Sequence, residues 1–242
     1  MANASAVQLI PPTAKTRSGT AKRLLQITGG IAWWIALLFP SAGRLDWFRG
    51  WISIAFWSAG MTAFILIVSR CNPTLLAARQ KWRHKDTKRF DKIFLAAFLP
   101  LVLMQPVLAG LDAVRYRWSS MPFGFVYPGA VLFVLGVALM AWAMAVNPFA
   151  ESTVRIQTDR GQCVITSGPY SRVRHPMYVG FILMYLGAPL IWGSVWALVV
   201  SGVIAIELIW RTALEDRTLR RELSGYGDYA ARTRYRLLPG LW

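Results

Sequence analysis

The sequence is short of acid, cysteine and histidine. Of its 242 residues 11 are acidic, two are cysteine (Cys71 and Cys163) and two are histidine (His84 and His175). These four lack the paired ligand spacing of a zinc site, so no metal is expected. Both cysteines fall in segments that the charge pattern assigns to the cytosol, which excludes a disulfide framework. No Gly-x-Ser-x-Gly, P-loop or His-Glu-x-x-His pattern occurs, and Gly-x-Gly-x-x-Gly is missing too. A hydrolase elbow, a nucleoside-triphosphatase loop, a zinc protease helix and a soluble dinucleotide site therefore have no support. Charge of either sign is scarce at 16%, against about 25% in a soluble domain. A soluble globular protein and a disordered chain are both excluded.

What is present is apolar and aromatic. Hydrophobic residues make up 55%, with 12 Trp and 12 Phe, and mean hydropathy is +0.41. Four apolar runs, 24–40, 51–69, 93–111 and 123–146, have the length that carries a helix across about 30 Å of hydrocarbon. A spanning segment of this kind must be a helix, because its backbone groups find no water there. A fifth stretch, 177–206, has no formal charge but is too long for one span and too short for two. Its centre, Gly187-Ala188-Pro189-Leu190-Ile191-Trp192-Gly193-Ser194, is a cluster of helix breakers. The expectation is a helical hairpin with arms 177–186 and 194–211. The fold class that follows is all-α: a polytopic integral membrane protein with four transmembrane helices, a C-terminal helical hairpin and a cytosolic pocket.

The 27 basic residues give a net charge of +16, which in a soluble chain would suggest nucleic acid. Here they lie in blocks between the apolar runs, and 23 of them fall on one side of the predicted topology. The other four are Arg44, Arg49, Arg115 and Arg117. This asymmetry puts both termini in the cytosol, in the inner membrane if the source is bacterial, and leaves nucleic acid without a binding module. Residues 1–23 read as a solvated basic arm and not as a secretory signal. Residues 24–146 form the membrane helices, and 147–242 a further region of the same structural domain. The stretch Arg79 to Lys85 mixes Trp with cations and is expected as an interfacial helix, with His84 facing solvent or headgroups.

Three features exceed what a scaffold needs. The first is the loop from Gly168 to Gly180, which contains Gly-Pro-Tyr and then His175-Pro176-Met177-Tyr178. Gly168-Pro169 forces a turn and Pro176 can open the next helix, with Tyr178 in its first turn beside His175. Donors and an aromatic ring then converge at the membrane surface. An ordinary basic loop with an interfacial Tyr is the alternative. The second feature is Glu207, Arg211 and Glu215, whose spacing places them on one helix face. Glu207 ends an uncharged run and takes Arg211 as its expected partner, either for function or as a salt-bridge ladder. The third is the tail, where aromatics alternate with cations up to Trp242. It is expected to pack back over the membrane face, as a lid or as an anchor.

In this order the features resemble the isoprenylcysteine carboxyl methyltransferase family and its bacterial relatives. The resemblance covers residues 147–242 and rests on Gly-Pro-Tyr, then His-Pro-x-Tyr-x-Gly, then Arg-x-x-x-Glu on a later helix. It implies S-adenosylmethionine as methyl donor, in contact with Tyr170, His175, Pro176, Met177, Tyr178 and Glu215. An upstream strip matches Gln162, Cys163, Val164 and Ile165, and a single polar position falls near Arg155. The eukaryotic members often carry His where Gln162 stands and Gln near Arg155. Arg211 matches the substrate-facing residue. Glu215 or Glu207 would be the base for an amine or thiol acceptor, whereas a carboxylate acceptor needs none and could be held bidentately by Arg211. The resemblance also implies a lipophilic or amphiphilic acceptor that enters from the bilayer, with a prenylcysteine-like carboxylate as one candidate. Membrane reductases of the sterol type, which use NADPH, share an Arg-His-Pro-x-Tyr-like element and are the alternative enzyme class. A non-enzymatic membrane transporter is the other alternative.

Overall fold

A computed structural model of the protein describes residues 18–79 and 84–242. Residues 1–17 of the expected arm and residues 80–83 of the expected interfacial helix lie outside the described residues. Every regular element among the described residues is helical. In chain order the α-helices are α1 (Ser18–Ala42), α2 (Phe48–Cys71), α3 (Pro73–Ala78), α4 (Arg89–Gly110), α5 (Val126–Val146), α6 (Pro176–Trp192), α7 (Val195–Glu222) and α8 (Tyr226–Arg232).

Helices α2, α4, α5 and α7 are long and apolar enough to cross a membrane, while α1 contributes a shorter apolar stretch and α6 is a short apolar helix. The protein is an integral membrane protein. Its outer surface agrees: Leu99, Leu103, Val131, Leu135, Val199 and Ile206 are exposed, as lipid-facing side chains must be. Helices begin and end a few residues outside most of the apolar runs, because the backbone keeps its hydrogen bonds into the interface where charged residues are tolerated. α7 is the extreme case. Its 28 residues would be about 42 Å long, so its last turns leave the hydrocarbon.

The hairpin differs from its expectation. The first arm does not stop at Leu186 but continues through Gly187 and Pro189 to Trp192. Pro189 has no N–H, which orphans the carbonyl of Tyr185 one turn back. That carbonyl accepts hydrogen bonds from Gln105 Nε2 of α4 at 3.1 Å and from Ser201 Oγ of α7 at 2.8 Å. A proline is tolerated where neighbouring helices satisfy the freed group. The turn comes instead at Gly193, whose φ of 82° suits a residue without Cβ. Ser194 then caps α7 by accepting from the Ala197 N–H at 3.0 Å.

Gly187 serves packing, not chain breaking. α5 and α6 run antiparallel with Gly129 against Gly187 and Gly136 against Gly180. A Cβ on any of the four would lie 2.6–2.8 Å from a backbone carbonyl of the other helix. In lipid, where apolar side chains gain nothing by leaving their solvent, such close approach holds helices together. Gly136→Leu is therefore expected to lower the thermal unfolding midpoint in detergent, by overpacking worth about 1–3 kcal/mol or more. An unchanged midpoint would show that the two helices can part freely.

Around this pair lie three apolar clusters. One joins Phe64 and Val68 of α2 to Phe133, Met140 and Met144 of α5. A second joins Leu38, Phe39, Ile54 and Trp192. The third, with Phe94, Tyr178, Ile204, Leu208 and Leu237, ties α4, α6 and α7 to the C-terminal tail.

Candidate functional site

At the end of the bundle where α5, α6 and α7 meet the 147–175 segment there is a cavity of about 790 Å³, counting its open mouth. Arg155, Gln162, Cys163, Val164, Ile165, Tyr170, His175, Met177, Tyr178, Arg211 and Glu215 all line it. Of the residues singled out in the sequence, Pro176 and Glu207 do not. Pro176 occupies the first turn of α6 and sets its start. Glu207 stays on α7 with Oε2 buried and without a partner.

The expected Glu207–Arg211 pairing is not formed. Arg211 reaches across to α4 and pairs Nε with Asp91 Oδ1 at 2.8 Å, while Nη2 donates to the Ser152 carbonyl at 3.0 Å. Its guanidinium lies over Phe94 and Tyr178, at 4.5 and 5.3 Å from the ring centroids. Asp91 is fully buried and also accepts from the Val154 N–H at 2.8 Å. A buried carboxylate fixed by a backbone donor is a stronger claim on Arg211 than a carboxylate one turn away on its own helix. Among the described residues Nη1 of Arg211 has no partner, so the protein leaves one guanidinium nitrogen free for a bound group. This is less than the bidentate grip read from the sequence.

Glu215 accepts the hydroxyl of Tyr178, and the Tyr178 ring is stacked on His175 with centroids 5.9 Å apart and planes 10° from parallel. His175 Nε2 lies 3.4 Å from Tyr226 Oη and 3.5 Å from Asp216 Oδ1. Asp216 is a buried hub. It takes Arg174 on both oxygens at 2.7 and 3.2 Å, the Tyr226 hydroxyl at 2.9 Å, and Arg220 and Arg236 at 3.2 and 3.1 Å. Through Asp216 the loop, α7, α8 and the tail become one unit. The tail adds backbone bonds: Arg174 N donates to the Tyr235 carbonyl and His175 N to the Arg236 carbonyl, both at 2.9 Å. The expected return of the tail is thus observed, with Arg236 stacked over Trp242 at 4.6 Å.

The other wall is the 147–165 segment. Arg155 is locked by Glu151 at 2.9 Å and Asp159 at 2.7 Å, with Asp86 at 3.3 Å. The hydrogen bonds of these carboxylates raise its pKa further above the ordinary arginine value. Arg79 donates to the Ala150 carbonyl at 2.6 Å; burial first, and then the Arg211 charge, lower its pKa to about 10. His84 is a correction: its side chain is only 16% exposed and faces Glu151 at 3.7 Å, because the acidic cluster around Arg155 draws it inward. Tyr170 is buried, which raises its phenol. Its hydroxyl accepts from Asn147 Nδ2 at 2.9 Å, and its carbonyl accepts the Tyr229 hydroxyl at 2.7 Å. The Gln162 side-chain Oε1 accepts from the Gln157 N–H at 2.7 Å. From Cys163 to Ile165 the backbone is in no helix or strand and makes no hydrogen bond to other described residues. A row of free N–H and C=O groups on a cavity wall can recognise the edge of a planar heterocycle.

Asp91, Glu151, Arg174, Asp216 and Tyr226 complete the constellation and were not singled out in the sequence. Asp91 carried one signal, an acid at the threshold of an apolar run. Asp216 carried none beyond its place beside Glu215.

The cavity lies at one end of a bundle of membrane-spanning helices and gathers most of the motif residues on its walls. Residues 125–225, about two fifths of the chain, match the family model described as phospholipid methyltransferase, and it is to that family that this region is similar. The match begins at the foot of α5 and ends before the tail. The cobalt-zinc-cadmium resistance protein CzcN of Cupriavidus metallidurans is 29% identical over 136 residues, 54% of this chain and 58% of that protein. The chain therefore spans less than two thirds of the length of this relative.

Proposed function

We propose that the protein moves a methyl group from S-adenosylmethionine to a lipophilic or amphiphilic acceptor at the membrane boundary. The observation that carries this reading is the single cavity shared by the 162–165 strip, Tyr170, His175, Met177, Tyr178, Arg211 and Glu215. The family match at 125–225 supports methyl transfer, while the name of the Cupriavidus relative refers to metal resistance and to no methyl acceptor.

The residues fit such a donor. The free backbone of Cys163–Ile165 suits its adenine edge, and Glu215 lies where a cationic sulfonium would be favoured. When bound, the donor supplies an electrophilic methyl carbon. What remains for the protein is to orient, desolvate and balance charge. Tyr178, fixed by Glu215 below and His175 beside it, gives a flat rigid wall. Phe94 and Tyr178 pack their rings against the Arg211 guanidinium and keep its Nη1 in place. A carboxylate acceptor would meet that nitrogen without any proton to remove. For an amine acceptor Glu215 is the base within the cavity, since Glu207 does not reach it.

Titration calorimetry with S-adenosylhomocysteine tests the reading. Binding is expected, weakened at least tenfold by His175→Ala, which is about 1.4 kcal/mol. Unchanged affinity in a folded variant would remove His175 from the site, and no binding by the parent protein would overturn the reading. The cavity opens on the cation-rich end of the bundle, which we assign to the cytosol. A reporter fused after Trp242 is expected there, and an external signal would reverse the assignment.

A further inference from the structure

The opposite end of the bundle holds a second recess, about 980 Å³ with its open mouth, between the start of α2, residues 113–121 and the Gly193 turn. Arg44, Arg49 and Arg117 line it, and Asp46 is the one carboxylate among the lining residues. Asp46 is taken by Arg44. Arg49 donates from Nη1 to the Met121 carbonyl at 2.8 Å and from Nη2 to the Pro122 carbonyl at 2.7 Å. Its Nε is buried with no acceptor. Trp192, 2% exposed, also lines the recess, and its Nε1 has no acceptor either. Among the described residues neither Arg49 nor Arg117 has an ion-pair partner. Buried donors without acceptors are rare enough in folded chains to require a reason.

The backbone here is irregular as well. A π-turn, Leu111–Arg115, ends α4, and Arg117 has φ 52°, in the left-handed region that a residue with a side chain avoids. Such departures gather where a ligand is held. Phe48, Tyr116, Trp118 and Phe123 are exposed in the segments around the mouth and mark the depth of the membrane interface. Anions at that depth are lipid phosphates. Trp192 has a second role, since it also forms part of an apolar cavity of about 220 Å³ between α1, α2, α5 and α6, with Trp34, Trp57, Phe133, Met184 and Ala188 on its walls.

We propose that the recess and the apolar cavity, which share Trp192 as their common wall, form one site for a single anionic phospholipid. Its phosphate takes the Arg117 fork at the mouth and the positive charge of Arg49 behind it, and one acyl chain lies in the apolar cavity beside Trp192. Phosphate suits these donors because it brings only acceptors and a negative charge. The chain suits the cavity because water would find few polar partners there. This site is separate from the methyl-transfer cavity and does not depend on that reading.

Native mass spectrometry of the full chain in detergent tests it, with phosphatidylglycerol, phosphatidylcholine or glycerol 3-phosphate added. One phosphatidylglycerol should be retained with at least a tenfold preference over phosphatidylcholine. Arg117→Asn removes the charge with a residue that accepts positive φ, so the fold should persist while retention falls at least tenfold. Ala188→Phe fills the cavity and should also expel the lipid. Equal retention of the two lipids, or retention unaffected by Arg117→Asn, would overturn the proposal. So would binding of glycerol 3-phosphate as tight as the lipid and indifferent to Ala188→Phe, which would make the site one for a free phosphate ester.

Discussion

Asp91→Ala is expected to destabilise the protein by about 3–5 kcal/mol, the usual cost of stripping a buried charge of its partner. The Arg211 guanidinium would remain 7% exposed with its Nε unpaired, and the Val154 N–H would lose its acceptor. At roughly 2–4 °C per kcal/mol for a chain of this size, the unfolding midpoint in detergent should fall by about 10 °C. Asp91→Leu combined with Arg211→Met removes both charges together and should recover most of that stability, because well-packed apolar groups replace buried ion pairs at little cost. The double variant should nonetheless transfer no methyl group. A midpoint unchanged in Asp91→Ala would mean that α4 is not tied to α7 through this pair. A double variant as unstable as the single one would place the loss at Val154 instead.

Asp91 also shows where the sequence stopped being legible. Three long spans, α2, α4 and α5, follow from run length alone, whereas the first expected run forms only the shorter apolar stretch of α1, and the fourth long helix is α7, expected as a short hairpin arm. The loop motif and the Arg211–Glu215 face could be read because local spacing fixes them. Tyr178 in the first turn of α6 must lie near His175, and the structure stacks them. Partnership across helices is not encoded in spacing. Arg211 was assigned to Glu207, four residues away, whereas its acceptor lies 120 residues upstream. Nothing in the pattern around Asp91 states which helix it faces. The same limit hid Asp216, whose partners come from the loop, α8 and the tail. Breaker residues misled in a different way. Gly187 and Pro189 read as a turn, yet the glycine serves contact with α5, and the proline is covered by Gln105 and Ser201 from two other helices. A residue's local preference gives way when neighbours supply what it lacks, and those neighbours appear only once the helices are packed.

Arg211→Lys is the substitution that separates structure from chemistry, provided the methyl-transfer reading holds. Lysine keeps the charge, so Asp91 retains a partner and the fold should survive. It cannot keep the geometry. The guanidinium gives Nε to Asp91 and Nη2 to the Ser152 carbonyl while Nη1 stays free, three nitrogens fixed in one plane against Phe94 and Tyr178. An ammonium is a single point at the end of a flexible stem; placed against Asp91, it leaves the Nη1 position empty. If that nitrogen orients the acceptor against the donor methyl, its loss acts on the reaction more than on donor affinity. Methyl transfer is expected to fall at least a hundredfold, about 2.7 kcal/mol, with S-adenosylhomocysteine affinity changed less than threefold. Glu215→Ala should do the reverse in part, weakening donor binding directly because the Tyr178 hydroxyl loses its acceptor and the wall loses its charge. The acceptor for the assay comes from screening membrane extracts with radiolabelled S-adenosylmethionine. Full activity of Arg211→Lys on that acceptor would reduce Arg211 to a structural cation clamped by Asp91, and the role argued for Nη1 would be wrong.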